Sequence, residues 1–174
     1  MNKLHVYTGE GKGKTTAAMG LALRSLGHGN TVLVAQFMKR GNSGELIALK
    51  RFENAAVMTA PPIKGFTFRM DEAQKALTRA EQTEFARAVI GQIAAIRPAT
   101  IVLDELGIAL TTGMLDEETA HQLLDAALDS GETAATGRTV PAWLADKADY
   151  LSRIAAEKHP YASEGLPARK GVEW

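Results

Sequence analysis

Cysteine is absent from this chain of 174 residues, which excludes disulfides, thiolate metal sites and cysteine nucleophiles. An excess of one charge is also missing, because 20 basic and 20 acidic side chains balance, so no net field attracts the protein to nucleic acid or anionic lipid. No apolar run reaches membrane-spanning length, and the first residues lead into a short strand without the pattern of a signal peptide. We therefore expect a cytoplasmic protein with neither a nucleic acid nor a membrane partner.

Internal repeats and flexible linkers are absent as well. The composition, 45% hydrophobic and 23% charged, is ordinary for a globular protein. One hydrophobic core can serve up to roughly 250 residues. We therefore expect a single domain over residues 1–174, in which residues 157–174 form an irregular tail.

Strand and helix patterns alternate along the chain. Residues 31–37 are almost continuously apolar, which is typical of a parallel strand covered on both faces. Further strands are predicted at residues 5–7, 56–58, 100–103, 133–136 and 150–155, and helices at 14–26, 45–52, 78–97, 117–130 and from 141 onward. This alternation predicts an α/β fold with a mostly parallel sheet and helices on both faces.

Two of the predicted helices have recognisable starts. Thr78 and Glu81 have the spacing of a capping box, and apolar residues then recur at helical intervals up to Pro98. Asp116 can cap a second helix, whose apolar stripe ends at Gly131. These signals predict helix boundaries close to the named residues.

A glycine-rich stretch lies between the first predicted strand and the first predicted helix. Glycine lets the backbone turn sharply and direct several N–H groups at one anion, while the following helix adds its positive amino end. Lys14 can neutralise terminal phosphate charge, and the Thr15 hydroxyl is placed to coordinate magnesium. We predict a phosphate loop (P-loop) for the triphosphate of ATP with Mg²⁺ or Mn²⁺, formed by Thr8, Gly9, Glu10, Gly11, Lys12, Gly13, Lys14, Thr15 and Thr16.

The loop departs from the usual pattern at its start, where Thr8 stands in place of glycine. The remaining glycines and the Lys14-Thr15 pair keep their expected setting. The competing interpretation is a glycine-rich turn with a chance lysine, and the flanking strand and helix argue against it.

Asp104 and Glu105 follow an apolar strand, and acids at a strand end suit a site better than a core. We predict that they complete a metal site with Thr15, directly or through water, although the pattern leaves open which acid binds. Solvated turn acids are the competing interpretation. Arg138 could bring a guanidinium to the triphosphate, and a surface arginine in a turn fits the sequence nearly as well. We predict Lys14, Thr15, Glu105 and Arg138 as catalytic residues.

Nine short segments along the whole chain carry a further signal: residues 7–18, 27–29, 34–39, 44–46, 65–68, 102–105, 136–138, 158–161 and 168–173. In sequence and in order they resemble segments of the corrinoid adenosyltransferases that make adenosylcobalamin. The resemblance implies that cobalt(I) of a reduced corrinoid attacks the 5′ carbon of ATP and expels intact triphosphate, with no protein nucleophile. It also implies that ATP is held in reversed sense on a loop without the opening glycine, as Thr8 shows here. A homodimer and a flavin-type electron donor protein are further implications of the resemblance.

The segment Gly65-Phe66-Thr67-Phe68 is similar to the family's Gly-Phe-Thr-Trp block, whose aromatic residues lie beside the corrinoid. The resemblance makes Phe66 and Phe68 corrinoid-binding residues that displace the lower axial ligand of cobalt. Phe68 keeps an apolar ring but lacks the indole N–H. Without the family context, two phenylalanines on a buried strand would be the simpler interpretation. The four scattered histidines are assigned to no metal.

Two other functions use the same loop. A phosphotransferase, such as a small-molecule or nucleotide kinase, would combine the same lysine, magnesium and carboxylate. A non-enzymatic ATP-dependent switch would bind ATP without turnover. ADP as product indicates phosphoryl transfer, whereas free triphosphate indicates attack on the 5′ carbon.

Overall fold

A computed structural model describes residues 1–39, 41–63, 65 and 67–173. Strands and helices alternate along most of the chain. The strands are β1 (Leu4–Thr8), β2 (Val32–Gln36), β3 (Ala55–Thr59), β4 (Thr100–Asp104), β5 (Glu132–Gly137) and β6 (Tyr150–Arg153). The helices are α1 (Lys14–Gly27), α2 (Gly44–Leu49), α3 (Glu72–Ile96), α4 (Leu106–Thr111), α5 (Glu117–Ser130), α6 (Ala142–Lys147) and α7 (Pro160–Glu164).

The six strands form one sheet in the order β3-β2-β4-β5-β1-β6. Every neighbouring pair is parallel, with β1 between β5 and the edge strand β6. Because all strands run the same way, their carboxyl ends lie along one edge of the sheet. The loop after β1 and the acids at the end of β4 therefore lie on the same edge.

Helices cover both faces of this sheet. Val34 and Val102 face one side, where they pack with buried residues of α1 and α2. Leu33 and Leu103 face the other side, where they pack with α3, α4, α5 and α6. Since both faces are buried, the central strands β2 and β4 are buried at every position, as the continuous apolar runs predicted. The α/β fold and its parallel sheet are confirmed.

Helix α3 begins earlier than the sequence predicted. Its N-cap is Asp71, which accepts a hydrogen bond from the Gln74 amide, while the Gln74 side chain accepts from the Asp71 amide. Thr78 is a buried residue inside the helix, and its hydroxyl lies 3.8 Å from Met70 Sδ. The first turns of α3 are mostly exposed, so apolar periodicity did not reveal them. The predicted start at Thr78 is wrong.

Three further differences concern short helices. Helix α2 ends at Leu49, before the predicted boundary at residue 52. Helix α4 was not predicted, because its six residues directly follow a strand and give no periodic signal. Helix α7 lies in the tail that was predicted to be irregular, which corrects that prediction at residues 160–164. The starts of α5 at Asp116 and α6 at Pro141 are confirmed.

Within the described part of the chain, no helix combines the length and the apolar character needed to span a bilayer.

Candidate functional site

The loop between β1 and α1 packs tightly on the chain that follows β6. Gly9 and Gly13 have φ angles of 107° and 121°, a region that residues with a Cβ rarely adopt. The Gly11 amide donates to Ile154 O at 2.8 Å, and the Gly9 amide donates to Arg138 O at 3.0 Å. Two of the loop amides therefore donate to other parts of the protein, and these bonds fix the path of the loop.

The amino end of α1 is open. Its N-cap is Gly13, and no side chain caps it. The first N–H groups of a helix have no partner inside the helix, so they favour an anion at this position. Lys14 Nζ donates to Gly9 O and Gly11 O, at 2.7 Å each. Burial lowers the pKa of Lys14 from its ordinary value, and the nearby Glu105 carboxylate opposes this shift.

Asp104 is fully buried at the end of β4 and is surrounded by hydrogen-bond donors. Its Oδ1 accepts from Thr15 Oγ1 at 2.9 Å and Thr136 Oγ1 at 2.7 Å. Its Oδ2 accepts from Gln36 Nε2 and Lys39 Nζ, both at 2.9 Å. Burial would raise the pKa of Asp104, but the Lys39 charge and these hydrogen bonds outweigh it and hold the pKa below the ordinary value. Asp104 is therefore a carboxylate.

Glu105 is placed differently from its neighbour. Its backbone is left-handed, with φ 61° and ψ 18°, and it is the N-cap of α4. Its amide donates to Thr136 Oγ1 at 2.9 Å. The turn directs the Glu105 carboxylate towards Lys39, whose Nζ lies 3.2 Å from Glu105 Oε1. The two acids thus face the same ammonium from different directions.

A cavity of about 580 Å³ joins the loop to these acids. Residues from five parts of the chain line it: Lys12, Gly13, Lys14, Thr15 and Thr16 from the loop and α1; Gln36, Met38, Lys39, Asn42, Ser43 and Glu45 from β2 to α2; Ile63 and Gly65 from the segment after β3; Glu105 directly after β4; and Val172 and Glu173 from the tail. Basic groups, hydroxyls and three carboxylates therefore converge on one opening at the carboxyl edge of the sheet. This combination suits a phosphorylated ligand with a bound cation.

Comparison with known proteins supports a specific family. The model for the family "ATP:corrinoid adenosyltransferase BtuR/CobO/CobP" matches residues 1–174. This chain belongs to the corrinoid adenosyltransferase family. The Corrinoid adenosyltransferase of Pseudomonas aeruginosa is 33% identical over 173 residues, covering 98% of this chain and 83% of that protein. The Corrinoid adenosyltransferase CobA of Salmonella typhimurium is 33% identical over 172 residues, covering 97% and 84%.

The family is one of enzymes, so the prediction of an enzyme and the resemblance are both confirmed. A solved structure, domain III of the Thermotoga maritima replication initiation protein DnaA, overlays with a TM-score of 0.45 at 10% identity. The overlay covers 88% of this chain and 54% of that chain. A likeness of this size carries no information on function.

The fold brings most of the predicted site residues together. Lys12, Gly13, Lys14, Thr15, Thr16 and Glu105 line the cavity, and Asp104 lies behind it in contact with Thr15. Thr8, Gly9, Glu10 and Gly11 are absent from the cavity lining within the described residues. Thr8 is buried, and its hydroxyl donates to Arg138 O at 3.1 Å.

Two predicted residues lie away from the cavity. Arg138 Nε lies 3.3 Å from Glu10 Oε2, and both side chains are largely exposed. Phe68 is in a 3-10 turn at Thr67–Arg69 and is 76% exposed, which rules out the alternative of a buried strand. Phe66 lies outside the described residues. Gly65, at the start of the same segment, does line the cavity.

The residues fit a hard divalent cation. Thr15 Oγ1, Asp104 Oδ2 and Glu105 Oε1 surround one position, which the Lys39 ammonium takes at 3.2, 2.9 and 3.2 Å. Oxygen ligands of this kind are the ones that Mg²⁺ and Mn²⁺ prefer. Gln36 Oε1, in the same cluster, is buried and has no partner among the described residues. Within the described chain, no group of three or more His, Cys, Asp or Glu side chains could hold a metal, and this position is surrounded by two carboxylates and the Thr15 hydroxyl.

Sequence reasoning missed Gln36, Lys39 and Thr136 as site residues. Gln36 and Thr136 are polar residues near the carboxyl ends of buried strands, which is the signal that identified Asp104. The same signal could have found them. Lys39 lies three residues beyond β2, and nothing in its local sequence indicates where its ammonium points.

Proposed function

We propose that this protein transfers the 5′-deoxyadenosyl group of ATP to cobalt(I) of a reduced corrinoid and releases triphosphate. A cobalt–carbon bond forms with an electron pair from cobalt, while the bond from C5′ to oxygen breaks and its electron pair leaves with the triphosphate. The observation that carries the proposal is the meeting of Lys14 and Thr15 with the Asp104-Glu105 pair at one cavity, in a chain of this family.

The reaction needs no protein nucleophile, so the protein contributes position and charge. Lys14 now donates to two neutral carbonyls of its own loop. Exchanging them for phosphate oxygens would pair the ammonium with ionised acceptors, which adds attraction between opposite charges to the hydrogen bonds. The open amino end of α1 adds its N–H groups and the positive end of its dipole. Both contributions stabilise the leaving triphosphate.

Thr15, Asp104 and Glu105 would hold Mg²⁺ or Mn²⁺. Bound to them, the cation would offset negative charge on the triphosphate. Asp104 would hold the cation as an ionised group in a fixed orientation, which the donors on Thr15, Gln36 and Thr136 set. Glu105 contributes a carboxylate that is 22% exposed and lines the cavity.

Arg138 can exchange its present partner for the triphosphate with little loss of stability. Its partner is Glu10, and the two side chains are 64% and 65% exposed. Ion pairs this exposed contribute little stability. Exchanging Glu10 for a phosphate would therefore cost little stability.

The corrinoid side of the proposal rests on the segment between β3 and α3. Gly65 lines the cavity, and Phe68, three residues on, presents an exposed ring. An exposed aromatic ring in the same segment as a cavity-lining residue suits contact with a large planar macrocycle. The resemblance extends this role to Phe66, and to the displacement of the lower axial ligand of cobalt.

The same resemblance extends the proposal to the cellular setting. It places the reaction in adenosylcobalamin biosynthesis or corrinoid salvage, in the cytoplasm, with a flavin-type electron donor protein. We also propose a homodimer on the basis of the resemblance. Each of these is tested separately from the chemistry, by reconstitution with a candidate reductant and by measuring the mass of the protein in solution.

An anaerobic assay with ATP, Mg²⁺ and chemically reduced corrinoid tests the reaction through the light-sensitive spectrum of the alkylated product. We expect Lys14→Ala to abolish product formation with little loss of folding, because the side chain lies at a solvent-accessible site. Lys75→Ala is the matched control, since among the described residues Lys75 forms an i,i+3 pair with Glu72 on α3 and does not line the cavity. Normal turnover in Lys14→Ala would contradict the proposed role of the loop.

A further inference from the structure

The Lys39 ammonium lies among the three oxygens that the proposed function assigns to a divalent cation. Its Nζ is 2.9 Å from Asp104 Oδ2 and 3.2 Å from both Thr15 Oγ1 and Glu105 Oε1. Cation-to-oxygen distances for bound Mg²⁺ are about 2.0–2.1 Å. A metal ion and this ammonium therefore cannot share the position.

Charge explains why the lysine is there. Asp104 is completely buried, and a buried carboxylate is costly unless a positive group is close. Lys39 provides that group. Because its side chain is 34% exposed, the ammonium can move from the acids into the solvent-accessible cavity. The lysine can thus leave once another cation neutralises the acids.

The backbone holds Lys39 in this direction. The preceding residue, Met38, has a φ of 57°, which is uncommon for a residue other than glycine. Its amide donates to Gln82 Oε1 at 3.2 Å, which ties the turn to α3. The conformation that points Lys39 at the acids is therefore held by the surrounding fold.

One atom in the cluster remains unsatisfied with the lysine in place. Gln36 donates its amide N–H to Asp104, but its carbonyl oxygen Oε1 is buried and has no partner among the described residues. A metal ion that keeps some of its water ligands brings O–H donors to this position, whereas the ammonium satisfies only Thr15, Asp104 and Glu105.

We propose that Lys39 is a placeholder for the divalent cation: in the nucleotide-free protein its ammonium occupies the metal position, and the metal enters only when Lys39 leaves. This inference rests on the metal site of the proposed function. Triphosphate on the loop offers the displaced ammonium a new anionic partner in the same cavity. Metal binding is thereby coupled to nucleotide binding, and free metal alone fills the site poorly.

Titration of nucleotide-free protein with Mn²⁺, followed by the loss of the free-ion electron paramagnetic resonance signal, tests the placeholder. We expect Lys39→Met to bind Mn²⁺ at least about tenfold more tightly than the wild type, because a competing charge a few ångströms away is removed. Lys39→Gln gives a second test with a polar side chain. Equal affinity in the wild type and both variants, or no binding to either variant, overturns the proposal.

Two controls distinguish an ammonium that occupies the metal position from the general effect of one positive charge in the cavity. Lys12→Met removes the same charge from the same cavity, but Lys12 pairs with Glu173 and is 51% exposed, so we expect less than about a threefold change. Adding Asp104→Asn to Lys39→Met should abolish the gained affinity. A gain that survives Asp104→Asn, or that Lys12→Met reproduces, overturns the proposal. The titration contains neither ATP nor corrinoid, so an error about the transfer reaction leaves its outcome unchanged.

Discussion

Replacing Gly11 with alanine should damage the phosphate loop through a single atom. A Cβ at Gly11 would lie 2.4 Å from Ala155 O and 2.7 Å from Ala155 C, and both atoms belong to the backbone. The Gly11 φ is outside the left-handed region, so only the lack of space opposes the substitution. To relieve this clash, the loop must move away from the chain that follows β6. Two hydrogen bonds of 2.8 Å, from Gly11 N to Ile154 O and from Ile154 N to Thr8 O, oppose that movement.

The size of the effect follows from those contacts. Losing or stretching two hydrogen bonds costs about 1 kcal/mol each, and overpacking adds about 1 kcal/mol or more. We expect Gly11→Ala to lower the free energy of unfolding by about 3 kcal/mol or more, which for this chain length lowers the Tm by at least about 6 °C. Affinity for ATP should fall as well, because the loop that presents Lys14 is displaced.

Gly20→Ala is the matched control. Gly20 is exposed on α1, and a Cβ there meets nothing within 4 Å. Alanine is the better helix former, so we expect Gly20→Ala to raise stability by about 0.5–1 kcal/mol. Denaturant unfolding and ATP titration check both variants. If Gly11→Ala matched the wild type in unfolding and in ATP affinity, the close packing of the loop would be refuted.

Three further predictions concern single side chains. Thr136→Val should lower the free energy of unfolding by about 1–3 kcal/mol because it leaves the Glu105 amide without its acceptor; Thr136→Ser should restore most of this, and equal loss in both variants would speak against the hydrogen bond. Hydrogen bonds from Arg169 and Lys12 lower the pKa of Glu173 to about 2. The ion pair between Glu173 of the tail and Lys12 of the loop should therefore persist above pH 4.5 and disappear as the pH falls towards 2. A carboxyl titration followed by nuclear magnetic resonance with a midpoint near 4.5 would contradict this. Phe66→Ala, suggested by the family resemblance, should weaken transfer far more than ATP binding, and equal losses would argue against a corrinoid contact.

The fold was predictable because its central strands β2 and β4 are buried on both faces. Residues 31–37 and 100–103 are apolar almost throughout, and this pattern has few explanations other than a covered parallel strand. The loop was predictable for the same local reason, since its glycines and lysine follow one strand and precede one helix. Short-range sequence patterns were enough for both features.

Features set by distant contacts were not predictable. Helix α4 starts from the left-handed turn at Glu105, which Thr136 of the neighbouring strand fixes. The Lys39 ammonium reaches Asp104, 65 positions along the chain, and no local pattern encodes that distance. The contact of Glu173 with Lys12 spans 161 positions. These contacts arise only when the parallel sheet brings its carboxyl ends together.

The central claim is that the loop holds an intact triphosphate while the 5′ carbon of ATP is attacked. Phosphorus nuclear magnetic resonance of an anaerobic reaction with ATP, Mg²⁺ and reduced corrinoid tests it most directly. We predict one free triphosphate for each cobalt–carbon bond formed, with no ADP. Accumulation of ADP, or alkylated corrinoid without triphosphate, would contradict the account.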